Sequence, residues 1–143
     1  MRLLVAVTIL FLFVGFYFLK DIPPQAEPTY SLSEKQRIFT LNVAKLIIYA
    51  YDQGYELTIG ECWRPKVTQE YYVKIGKSKT YNSQHLVRLA IDFNLFYKGR
   101  YEDGRTKESF ERYKVLGEYW KSLNPHNRWG GDFGWDPGHF EYK

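Results

Sequence analysis

Apolar and polar positions divide the chain into three stretches. Residues 3–19 (LLVAVTILFLFVGFYFL) are an unbroken apolar run without a single charge. A bilayer span takes about 20 apolar residues and a signal-peptide core about 7–15, so the run is short for the first and long for the second. Arg2 supplies a short positive flank, and no clear small-residue cleavage site follows. Residues 1–20 are therefore expected to be an N-terminal apolar helix, an uncleaved signal anchor in preference to a cleaved signal peptide. Residues 21–30 contain Pro23, Pro24 and Pro28 and read as an extended linker. Residues 31–143 carry the periodicities of a folded domain.

Ser31-Leu32-Ser33-Glu34 has the form of a capping box. The helix it opens carries Ile38, Leu41, Val43, Leu46, Ile47 and Tyr51 at roughly helical spacing and ends near Gln53-Gly54. Residues 55–60 alternate as a strand. Val67 to Ile75 reads as a short helix stopped at Gly76, and Lys77 to Ser83 as loop. Leu86 to Phe96 reads as a central strand, followed by a turn at 97–101 into another. Lys107 to Leu123 predicts a helix with Phe110, Tyr113, Leu116, Gly117 and Trp120 inward. Asn124 to Gly134 is expected to be loop, flexible at Gly130-Gly131, and His139 to Tyr142 a last short strand. This irregular mixture predicts an α+β domain, a small antiparallel sheet with flanking helices.

Composition changes the picture little. Hydrophobic residues are 45% and charged residues 25%, which excludes a disordered chain. Aromatics reach 19%, enough for a ring-rich core and a groove able to hold a flat or sugar-bearing ligand. The net charge of +4 comes from scattered Lys and Arg with no basic block, so no nucleic-acid partner is expected; a mildly basic surface suits an anionic polymer such as a bacterial wall. Cys62 is the only cysteine, which excludes an intrachain disulfide, and it is expected to be buried beside Trp63.

The chemistry lies in two segments that hold two of the chain's three histidines: Ser83-Gln84-His85 running to Asp92, and Asp136-Pro137-Gly138-His139. His85 and Asp92 are seven apart, an odd spacing that would put them on opposite faces of one strand. Both can meet one metal only if His85 lies in the loop before the strand or a bulge intervenes. Pro137 fixes φ and Gly138 permits a tight turn, which can aim Asp136 and His139 into one cavity. His85, Asp92 and His139 would then be three ligands of a zinc ion with one position open. Asp136 would stand as general base. Arg64 near such a site would stabilise charge on a scissile carbonyl oxygen. Glu141 would orient a histidine, whereas nothing in its spacing places Glu61 at the site. His126 reads as a surface loop residue.

Taken together, Ser83-x-His85 running to Ala90-Ile91-Asp92, Asp136-Pro137-Gly138-His139-Phe140-Glu141, Glu61-Cys62-Trp63-Arg64 with Gln69, and Trp129-Gly130-Gly131-Asp132-Phe133 resemble the zinc D-alanyl-D-alanine carboxypeptidase group, which includes phage L-alanyl-D-glutamate endopeptidases that act as endolysins. The resemblance covers roughly residues 31–143. It implies a small α+β metallopeptidase fold of the hedgehog type and one Zn2+ on His85, Asp92 and His139. It assigns Asp136 as base, Arg64 to the oxyanion, and Ser83 and Gln69 to supporting roles. Many members carry Gly three positions after the first His, where this chain has Arg88. Either the His85 loop differs, or Arg88 faces substrate to bind a carboxylate, or it is a solvated strand-edge charge. The implied function is hydrolysis of a peptidoglycan stem-peptide bond, of the L-Ala-D-Glu endopeptidase type. The apolar run adds the expectation of a domain held at the outer face of the cytoplasmic membrane, or secreted, and a monomer is expected. The rivals are a D-Ala-D-Ala carboxypeptidase and an inactive, zinc-bound wall-binding module.

Overall fold

A computed structural model describes residues 29–143. The expected apolar segment 1–20 and the linker up to residue 28 lie outside the described residues. Among the described residues no helix is long and apolar enough to cross a membrane.

The first described helix, α1 (Leu32–Asp52), starts where the capping box puts it: Ser31 Oγ accepts from the Glu34 amide and the Glu34 carboxylate accepts from the Ser31 amide at 2.8 Å. Its buried face is Phe39, Asn42, Leu46 and Ala50. Leu41 and Tyr51, part of the same apolar spacing, are exposed. Apolar residues surround much of this helix, so its period leaves the phase open, and packing against the sheet selects one stripe.

A strand β1 (Tyr55–Ile59) and a short helix α2 (Lys66–Lys74) follow. A 3-10 turn (Gln84–Val87) then leads into the central strand β2 (Ala90–Tyr97) and its hairpin partner β3 (Arg100–Glu102). The segment 86–96, read as one strand, thus breaks at Arg88, whose φ of 55° is left-handed. The helix α3 (Lys107–Leu123) buries Tyr113, Leu116, Gly117 and Trp120, as its spacing predicts. Two elements emerge from the expected 124–134 loop: strand β4 (Asn127–Trp129) and a second 3-10 turn (Gly130–Phe133). The last strand is β5 (His139–Tyr142).

All pairings are antiparallel, in the order β1-β2-β5-β4 with β3 also on β2. Along one edge of β2 runs β1; along the other, β5 faces Ala90–Asp92 and β3 faces Leu95–Tyr97. Where β5 and β3 meet, the Tyr113 hydroxyl fills the break in the ladder, accepting from the Leu95 amide at 3.0 Å beside the carbonyls of Phe93 and Glu102. Burial pushes that phenol up to about 12, so it serves as a neutral hydrogen-bonding group.

Trp120 lies at the centre of the core, edge-on to Phe39 and Phe140, with its indole N–H shared by the Arg128 and Glu141 carbonyls. Trp129 from β4 lies flat on Gly117, where a Cβ would overlap the indole. Overpacking of this kind costs about 1–3 kcal/mol. Gly117→Ala should therefore lower stability by about that amount in urea titration, and an unchanged midpoint would refute this packing. Gly130 and Gly131, expected as a flexible point, are buried: a Cβ at Gly131 would strike the same indole, and one at Gly130 the Asp136 carbonyl.

Candidate active site

Antiparallel register brings the distant residues together. Asp92 on β2 is paired with His139 on β5, so their side chains stand side by side. His85 belongs to the 3-10 turn before β2, which frees it from the strand's alternation. Ser83 caps that turn, its hydroxyl accepting from the His85 amide at 3.4 Å. The Arg64 amide donates to the His85 carbonyl at 3.2 Å and ties the turn to the segment before α2.

The three side chains meet at one point. His139 Nδ1 lies 2.9 Å from Asp92 Oδ1, and His85 Nε2 lies 3.3 Å from each of those atoms. Ligands about 2.0–2.1 Å from a tetrahedral zinc are separated by about 3.3 Å along the tetrahedron's edge. The triangle therefore fits a metal of that size, and two imidazoles with one carboxylate are a donor set suited to zinc. His139 turns Nε2 away from the triangle towards the Glu141 carboxylate at 3.2 Å, and Glu141 in turn pairs with Arg128. Such outer partners fix ring orientation in metal sites. Burial disfavours both charged forms, yet the mutual hydrogen bonds prevail: Asp92 is held at about 2 and His139 is raised to about 9. A buried imidazolium beside a carboxylate is what a bound cation would replace.

The triangle opens into a cavity of about 850 Å³. Asp136 lines it from the turn before β5, where the His139 amide donates to the Asp136 carbonyl at 3.2 Å. That turn is seated by the Trp129 indole N–H, which donates to the Pro137 carbonyl at 2.7 Å, and by Gly138, whose missing Cβ leaves room for the Phe93 carbonyl. Burial, and then the charge of Asp92, push the Asp136 carboxyl above its usual range. Arg64 lines the cavity too, gripped by Glu61 through two nitrogens and by Gln69 Oε1 at 2.6 Å, with its guanidinium 5.0 Å from the centre of the Tyr72 ring.

A family model described as D-alanyl-D-alanine carboxypeptidase matches residues 76–142, a span containing all three corners of the triangle and Asp136. The protein is accordingly a zinc metallopeptidase. Among solved structures, an L-Ala D-Glu endopeptidase of Serratia marcescens, ChiX, matches with a TM-score of 0.56 at 22% identity, over 87% of this chain and 95% of that one, a likeness of fold. The vancomycin-resistance D,D-pentapeptidase VanY, in complex with Zn(II), matches with a TM-score of 0.47 at 18% identity, over 73% and 70%. No curated protein matches the chain.

The remaining expected residues divide. Gln69 is buried and does not line the cavity; it braces Arg64. Arg88 points elsewhere, its guanidinium 5.0 Å from the centre of the Trp63 ring, and is not among the cavity's lining residues. The His85 turn keeps the left-handed step at that position, with Arg88 occupying a conformation that favours Gly. Cys62 is exposed rather than buried, because residues 61–64 run along the rim of the sheet. Glu61, to which spacing gave no place, lines the cavity as the partner of Arg64. Arg128, the partner of Glu141, carried no signal at all; its position on the missed strand β4 is what sets it beside β5.

Proposed function

We propose that this zinc peptidase hydrolyses a stem-peptide bond of peptidoglycan, with the L-Ala-D-Glu bond as the first candidate. The observation that carries the reading is the His85–Asp92–His139 triangle opening into a cavity that also presents Asp136 and Arg64. His85 Nε2, Asp92 Oδ1 and His139 Nδ1 would hold the ion. When bound, zinc polarises a carbonyl and makes water nucleophilic near neutral pH. Asp136 takes the proton of the attacking water and returns it to the departing amine. Arg64 has three of its five N–H groups committed to Glu61 and Gln69, which aim the guanidinium; the other two remain for the substrate carbonyl oxygen as it gains charge. The apolar run 3–19 supports a domain exported and tethered at the outer face of the cytoplasmic membrane. An endolysin-like lytic role rests on the resemblance to the phage endopeptidases.

The family description favours a second reading, a D,D-carboxypeptidase that trims the terminal D-Ala. The purified chain, incubated with isolated peptidoglycan with and without a chelator, separates the readings. New alanyl C-termini and D-glutamyl N-termini, lost on chelation and restored by zinc, are expected for the endopeptidase. Release of free D-Ala alone would assign the carboxypeptidase. Intact wall with one zinc per chain would overturn both in favour of a binding module.

A further inference from the structure

The charges around the cavity are not all spoken for. Of its carboxylates, Glu61 and Glu141 are engaged by Arg64 and Arg128 and Asp92 by the two histidines, while Asp136 makes no ion pair. Two of its lining lysines, Lys77 and Lys79, make no ion pair with any described carboxylate. Each is steadied by a ring instead: Lys77 Nζ lies 4.1 Å from the centre of Tyr72 and Lys79 Nζ 5.5 Å from that of Trp135. A cation over a ring keeps N–H donors free on its outer side.

The segment bearing them is built rather than loose. The amide of Lys77 donates to the Tyr72 carbonyl at 2.8 Å. The buried Gln69 amide group donates to Ser78 Oγ at 2.8 Å and to the Thr80 carbonyl at 2.5 Å, while its oxygen holds Arg64. One side chain therefore sets the lysine lip and the arginine in register.

We infer that Lys77 and Lys79 form a carboxylate subsite, and that the enzyme selects peptides carrying a free carboxylate next to the bond it cuts. The inference rests on the peptidase reading above and names the substrate feature it would recognise. A stem peptide offers two such groups, the α-carboxylate of its γ-linked D-glutamyl residue and its C-terminal carboxylate.

Three stem pentapeptides test it: one with both carboxylates free, one amidated at the D-glutamyl α-carboxylate, and one amidated at the C-terminus. Binding to the zinc-loaded full chain is read by calorimetry, and cleavage separately by mass spectrometry. The free peptide should bind about tenfold more tightly than one of the amides, as two partly exposed ion pairs allow, and the weak amide identifies the carboxylate. The preference should shrink with added salt and vanish in a Lys77→Ala/Lys79→Ala double variant, with KM rising and kcat little changed. Lys45→Ala, on the exposed side of α1, should keep it. Equal affinity for all three peptides, or a preference that survives the double variant, overturns the subsite. Discrimination in binding without cleavage of any peptide would retain the subsite and overturn the peptidase.

Discussion

Asp92→Ala should strip the protein of its zinc and its activity in one step. Asp92 Oδ1 is the corner of the triangle that touches both rings, and the only anionic one. Without it, two imidazoles remain 3.3 Å apart with nothing to neutralise a divalent ion. A metal held there would supply both the polarised carbonyl and the activated water, so kcat/KM should fall at least about a thousandfold. Elemental analysis after gel filtration should give one zinc per wild-type chain and much less than one in the variant. The melting temperature gives an independent reading. A ligand that binds only the folded state stabilises it by mass action, so a chelator should lower the wild-type midpoint and leave that of Asp92→Ala unmoved. A variant that keeps a full equivalent of zinc and responds to the chelator would show that the ion sits elsewhere.

How legible this centre was depends on the range of the forces that build it. The capping box at Ser31 and Glu34 acts within one helical turn, and the start of α1 follows it. The inward residues of α3 share one clear stripe, so its face was predictable as well. The face of α1 was not, because its apolar residues wrap around the helix and the sheet chooses among them. The strand β4 is three residues long and exists through its pairing with β5, a contact that no local pattern announces. Gly130-Gly131 carries a similar ambiguity. Two adjacent glycines suggest flexibility in a sequence, yet here they are the space into which the Trp129 indole and the 136–139 turn fit. The parity argument over His85 and Asp92 narrowed the geometry to a loop or a bulge, and a 3-10 turn ended by a left-handed Arg88 supplies the loop. Glu61 was missed because its role comes through Arg64 and a β1–β2 edge, not through spacing.

Asp136→Asn should separate chemistry from metal binding. Among the described residues the Asp136 carboxylate makes no hydrogen bond or ion pair, although it lines the cavity and is half-buried. A buried carboxylate without a structural partner is more easily explained by what it does to substrate than by what it does for the fold. The amide is nearly isosteric and keeps the turn, but it cannot accept a proton. Loss of general acid–base catalysis costs about 10²–10⁴-fold, and the loss should fall on kcat, with zinc content and KM close to wild type. Asp132 is the matched control. It lies four residues earlier, and its carboxylate is held by Lys121 at 2.9 Å on the outer surface, so Asp132→Asn should leave turnover intact. If Asp136→Asn retained more than about a tenth of wild-type kcat, Asp136 would not be the base. Glu61 would be a poor replacement, since its carboxylate is already engaged by two nitrogens of Arg64.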